Sequence, residues 1–225
     1  MNLLARTYST SLGKKYLMAI SGLLLFVFVI AHLLGNLQIY LGPQVMNAYA
    51  HALQSRPALL WTARTGLFLI AVVHIVTALQ LASENRAARP ARYDKGRPVA
   101  ATFASRTIVV TGLGLFAFIV YHLLHFTLGV TNPDFAQLRD QIGNHDVYRM
   151  MIIGFSDPLV SIFYIISMGL LLFHLSHGVG SLFQSLGLRN KQNTAAVIRF
   201  ARVAAFLIFL GNCSIPIAIM LKVIR

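Results

Sequence analysis

Six of the chain's eight histidines lie inside long apolar runs: His32, His74, His122, His125, His174 and His177. An ionisable side chain at membrane depth is costly and usually marks function. His32 falls 16 residues after Tyr16, where its run begins; His74 falls 15 after Leu59, His122 15 after Thr107 and His174 15 after Leu159. At 1.5 Å per residue each sits about 22–24 Å along its own helix. If consecutive helices run in opposite directions, His32 and His122 share one level and His74 and His174 another. In an apolar core about 30 Å thick the two levels are roughly 15 Å apart.

Two neutral imidazoles at one level are what bis-histidine haem ligation needs. Each ring gives one nitrogen to iron, while the other nitrogen donates to a fixing partner. A wide macrocycle needs small residues nearby, and Gly35, Ala78 and Gly178 follow His32, His74 and His174 by three or four positions. With both axial positions filled, the expected task is electron transfer. Zinc or copper needs three or four ligands at one point, often with thiolates or carboxylates. The apolar runs hold no Asp or Glu in their interiors, and the single cysteine, Cys213, lies on the last of them.

His125 and His177 each lie one turn beyond a proposed ligand and share its helix face. Either could replace its neighbour as ligand, or meet a haem propionate or a quinone oxygen. Simple interfacial polarity is the plainer alternative. His51 and His145 fall in connecting loops and read as surface residues. Lys15, Arg64, Arg106, Arg199 and Arg202 stand near helix starts, where they suit lipid phosphate or a propionate.

The elements that must carry these residues are visible in the composition. Of 225 residues 57% are hydrophobic and 11% charged, against about 25% charged in a soluble domain. That excludes an ordinary soluble enzyme, a disordered tail and a disulfide scaffold. Five runs are long enough to cross a bilayer: Tyr16–Gly35, Leu59–Ala82, Thr107–Gly129, Leu159–Phe183 and Val203–Val223. The expected fold is all-α, an integral membrane bundle of five transmembrane helices forming one domain over residues 1–225. The first run is too long for a signal peptide and lacks a clear cleavage site, so it is expected to be retained. Pro43–Leu53, and part of Pro133–Met151, are expected to form short helices along one surface. No internal repeat is read at the residue level.

The net charge of +13 does not point to nucleic acid, because no basic stripe is interleaved with exposed aromatics. Basic residues instead separate by loop. The N-terminus, the second-to-third and the fourth-to-fifth connections carry 13, including Arg6, Arg86, Arg89, Arg92, Lys95, Arg97, Arg189 and Lys191. The other side carries six basic residues, together with Asp134, Asp140, Asp146 and Asp157. The positive-inside rule then expects a cytoplasmic N-terminus and an outer C-terminus.

The stretches AISGLLLFVFVIAHLLGN, AHALQSRPALLW, VVHIVTALQLA, YHLLHF and FHLSHGVGSLFQSLG occur in that order along essentially the whole chain. In this the chain resembles the single-subunit, dihaem cytochrome b anchors of succinate dehydrogenases and fumarate reductases. The resemblance implies two haem b groups, with His32 and His122 on the distal haem iron and His74 and His174 on the proximal one. It also implies a flavoprotein and an iron–sulfur partner on the cytoplasmic face of a prokaryotic inner membrane. There succinate would be oxidised and electrons passed to quinone, menaquinone or ubiquinone, in respiratory electron transport linked to the tricarboxylic acid cycle. Some fumarate reductase relatives carry a buried glutamate two residues before the fourth-helix ligand. Leu172 stands there in this chain, so a carboxylate proton path through the bilayer is not expected.

By itself the chain carries no nucleotide fingerprint such as GxGxxG. The competing readings are a dihaem anchor of another respiratory complex, such as nitrate reductase, and a haem-free transporter or scaffold. The FHLSHG stretch speaks against the first. The lack of broken helices and repeats speaks against the second.

Overall fold

The computed structural model describes Tyr8 and residues 10–88 and 103–225. Arg6 and the basic residues Arg89, Arg92, Lys95 and Arg97 lie outside the described residues. The helices are α1 (Ser11–Asn36), α2 (Pro43–Gln54), α3 (Pro57–Ala87), the single turn α4 (Phe103–Arg106), α5 (Ile108–His122), α6 (Val147–Ser156), α7 (Pro158–Ser185) and α8 (Thr194–Met220). The π-helical turn Leu123–Thr127 extends α5. Five helical segments are long and apolar enough to cross a membrane: α1 with its 3-10 extension to Leu41, α3, α5 with its π turn, α7 and α8. Among the described residues there is no strand, only an isolated bridge between Arg139 and His145.

Local chemistry sets where the helices begin. The Thr10 side chain accepts from the Gly13 N–H and caps α1. Asp157 accepts from the N–H groups of Leu159 and Val160, and Pro158 opens the first turn of α7. Proline suits that position because its missing N–H has no helical partner there.

Four of the five spans reach further than the apolar runs on at least one side; the third, Ile108–Thr127, falls within its run. The fifth begins nine residues before Val203, so Arg199 and Arg202 are helical rather than in a loop. An arginine does not end a helix; its long stem lets the charge leave the apolar layer while the backbone stays bonded.

α1, α3, α5 and α7 form a four-helix core. α1 packs on α3 and α7, α7 on α5, and α3 meets α5 only slightly; α8 lies along α7 in the largest helix contact. Ala201 and Ala205 of α8 are fully buried there, between Phe26 and Leu33 of α1 and Leu175 and Val179 of α7. Small residues let helix backbones approach where lipid provides no hydrophobic drive.

The two ends differ. Tyr8 bonds to Gln80, and Lys14 pairs with Glu84, at the end that carries the N-terminus. The opposite end is roofed by α2, expected from the sequence at Pro43–Leu53, and by α6, which begins inside the second expected stretch, Pro133–Met151, but runs past it to Ser156. Asn47 of α2 donates to the Asp146 carboxylate (2.9 Å) and accepts from the Tyr148 N–H (2.9 Å). Tyr148 in turn donates to the carbonyl of Arg225, holding the C-terminus to the roof.

Gly154 of α6 lies against the π turn. A Cβ there would stand 2.7 Å from a ring carbon of Phe126 and 3.2 Å from His125 Cε1. Gly154→Ala is therefore expected to cost about 1 kcal/mol of stability by overpacking, read as a lower melting temperature in detergent.

Candidate functional site

The bundle brings the histidines together across its diagonals. His32 of α1 faces His122 of α5 with ring centroids 5.8 Å apart. His74 of α3 faces His174 of α7 at 6.4 Å. These are the two pairs that the depth count places at common levels. His125 and His177 face neither member of a pair. His125 is buried, 1% exposed, and lies 4.0 Å from the Phe126 ring with its Nδ1 on the Tyr164 hydroxyl. His177 is half-buried, with the charge of Arg189 nearby. His51 is exposed on α2, and His145 Nδ1 lies 3.3 Å from the Leu138 carbonyl oxygen in the loop between α5 and α6.

The pair nearer the N-terminal end sits against two helix hydroxyls. Ser21 Oγ is 3.2 Å from His74 Nδ1, and Thr111 Oγ1 is 3.3 Å from His174 Nδ1. The next residue in each case is glycine. A Cβ on Gly22 would stand 3.2 Å from His74 Cε1, and one on Gly112 would stand 3.4 Å from His174 Cε1. Each imidazole thus rests one edge on the backbone of a neighbouring helix.

The pair nearer the roof is backed by aromatics. Phe28 stacks on His32 at 5.3 Å and Phe118 on His122 at 5.8 Å. The buried Tyr164 hydroxyl lies 3.3 Å from His122 Nδ1 and 3.1 Å from His125 Nδ1. The π turn begins one residue after His122 and adds a residue to the helical circuit. Such turns frequently occur at functional sites, and this one carries His125 inward to Tyr164.

These contacts expose a repeat that the sequence reading does not find. Residues 21–32 are SGLLLFVFVIAH and residues 111–122 are TGLGLFAFIVYH. The hydroxyl, glycine, phenylalanine and histidine recur at the same offsets and make the same kinds of contact. Ser21, Thr111 and Tyr164 are the site residues that sequence reasoning passes over. Aligning the two stretches is the signal that finds the first two; Tyr164 has no comparable signal. The offset of 11 residues from hydroxyl to histidine also gives the spacing between layers, about 16 Å along each helix.

Two cross-bundle imidazoles can be tested against a metal held between them. A ring nitrogen stands about 2.0–2.1 Å from a first-row metal ion, so two rings on opposite sides have centroids about 6 Å apart. The observed separations of 5.8 and 6.4 Å fit that requirement at both levels. Among the described residues, no three His, Cys, Asp or Glu side chains converge in one cluster. Each pair thus offers two imidazoles with no third protein ligand among the described residues, which would suit an iron porphyrin, a group that brings four ligands of its own.

Residues 82–209, more than half of the chain, match the model of the family described as Succinate dehydrogenase/Fumarate reductase transmembrane subunit. No curated protein and no solved structure matches the chain.

Proposed function

The chain belongs to the family of succinate dehydrogenase/fumarate reductase transmembrane subunits, and from that premise we propose that it is the dihaem, five-helix anchor of such a complex. It is an integral, multi-pass membrane protein, and the family associates with the catalytic subunits of the enzyme. The observation that carries the finer reading is the pair of diagonal histidine contacts at two heights. His74 and His174 would hold the proximal haem b, and His32 and His122 the distal one. Haem held by two nitrogen ligands supplies a one-electron couple with no open position for oxygen. The subunit thereby connects an iron–sulfur partner on one side with membrane quinone.

The chain's own part is placement. Four helices fix the imidazoles in facing pairs, and the apolar bundle keeps them out of water. The basic residues of the N-terminal end, Lys14, Lys15, Arg86, Arg189 and Lys191, favour a cytoplasmic orientation under the positive-inside rule. A flavoprotein and an iron–sulfur subunit would dock there, on the inner membrane of a prokaryote.

The test is isolation of the tagged chain from its native membrane in mild detergent. Two haem b per chain, a reduced-minus-oxidised b-type spectrum and co-isolated flavin and iron–sulfur subunits are expected. A preparation that carries those subunits but shows no haem absorption contradicts the proposal.

A further inference from the structure

We infer that Ser21 and Thr111 are positioning residues that fix the tautomer and rotation of His74 and His174. The inference rests on the reading of these histidines as haem ligands. A hydroxyl has a single proton to give. Ser21 Oγ gives it to the backbone of its own helix, with the Leu17 carbonyl at 2.7 Å. Thr111 Oγ1 gives it to the Ile108 carbonyl at 3.0 Å. Each oxygen is then an acceptor toward the histidine, so Nδ1 of the ring must be the donor.

With its proton on Nδ1, each ring keeps its lone pair on Nε2. The glycines complete the arrangement. Gly22 and Gly112 let the Nδ1–Cε1 edge rest on the helix backbone, with Cε1 at 3.2 and 3.4 Å from where a Cβ would be. The two sites are built alike from the two copies of the repeat, although His74 and His174 stand on different helices. The roof-side pair is built differently. His122 shares the Tyr164 hydroxyl with His125, and a phenol can donate to one ring while accepting from the other.

Donation from Nδ1–H makes the opposite nitrogen a more basic ligand, which favours oxidised iron. Removing the hydroxyl is therefore expected to raise the midpoint potential of the proximal haem and leave the distal haem where it was. The experiment compares the purified complex with Ser21→Ala, Thr111→Val, their combination and Ser21→Thr. Both haems are counted and titrated potentiometrically, and their low-spin electron paramagnetic resonance signals are recorded.

The expected result is two haems in every variant, an upward shift confined to the proximal haem, a larger shift in the double variant, and parent-like behaviour in Ser21→Thr. Loss of the proximal haem in the alanine variant with its retention in Ser21→Thr would support the same role. Unmoved potentials and resonances, equal shifts of both haems, or a Ser21→Thr variant as altered as Ser21→Ala would overturn it. His74→Ala, measured alongside, separates the two claims. If it keeps both haems, the ligand reading fails and this inference falls with it. If it loses one haem while the hydroxyl variants titrate as the parent, this inference alone fails.

Discussion

Replacing His74 or His174 by alanine is expected to reduce the haem content of the complex from two per chain to one, with the remaining haem close to its parent spectrum. The expectation follows from the separation of the levels. The layers stand about 16 Å apart along each helix, roughly three turns, and among the described residues the polar and ring contacts of the two histidine pairs go to different partners. On the His74–His174 side the contacts run to Ser21, Gly22, Thr111 and Gly112. On the His32–His122 side they run to Phe28, Phe118 and Tyr164. Sites more than about 7–10 Å apart that share no partners respond independently. His32→Ala should give the converse preparation, and the two single-haem spectra should sum to that of the parent. Pyridine haemochrome quantification and difference spectra check both halves. Loss of neither haem from His74→Ala, or of both, would refute the layered assignment.

Tyr164→Phe is expected to be the most destabilising of the changes that spare the ligands. Its hydroxyl serves both His122 and His125, and His125 is 1% exposed among Phe126, Phe135 and Tyr164. Removing one partner of a buried polar group leaves the other desolvated and unpaired, at a cost of about 1–3 kcal/mol. For a chain of this size that corresponds to a fall in Tm of roughly 2–4 °C per kcal/mol. The cost should concentrate at the roof, where Tyr164 packs with Met46, Met151, Phe155 and Ile219. Thermal unfolding of the complex in detergent, with haem content followed in parallel, checks the prediction. An unchanged Tm would show that the two histidines find other partners and that the Tyr164 bridge contributes little.

The spans were legible because unbroken hydrophobicity over about 20 residues is the length and chemistry that a bilayer core demands. Their ends were less so, since Arg199 and Arg202 read as loop residues yet lie in the first two to three turns of α8. The levels of the histidines survived those errors. α1 begins at Ser11, five residues before the apolar run, whereas α5 begins at Ile108, one residue after its run does. The extra turns of α1 and α3 pair with each other through Lys14 and Glu84 and leave the facing contacts where they are. The relative heights were therefore set by the apolar runs rather than by helix ends.

The supporting residues were hidden for a different reason. Ser21 meets a histidine 53 positions away, Thr111 one 63 positions away, and Tyr164 one 42 positions away. A single hydroxyl in an apolar run resembles many that bond only to their own helix, as Ser167 does to Phe163. The π turn was equally invisible, because Leu123–Thr127 reads as helix by composition and the wider circuit shows only in backbone bonding such as that from the Leu128 N–H to the Leu123 carbonyl. The first roof helix could be placed from Pro43 and its apolar spacing, whereas the second, Val147–Ser156, only overlaps the stretch Pro133–Met151 where one was expected. Their attachment through Asn47 and Asp146, 99 residues apart, could not be placed.

A density map of the native complex, resolved well enough to place iron and imidazole rings, tests the central claim most directly. The account predicts one macrocycle between His74 and His174 and a second between His32 and His122, each iron bonded to both rings of its pair. Iron centres bound by other residues, or these rings turned outward to lipid, would contradict it.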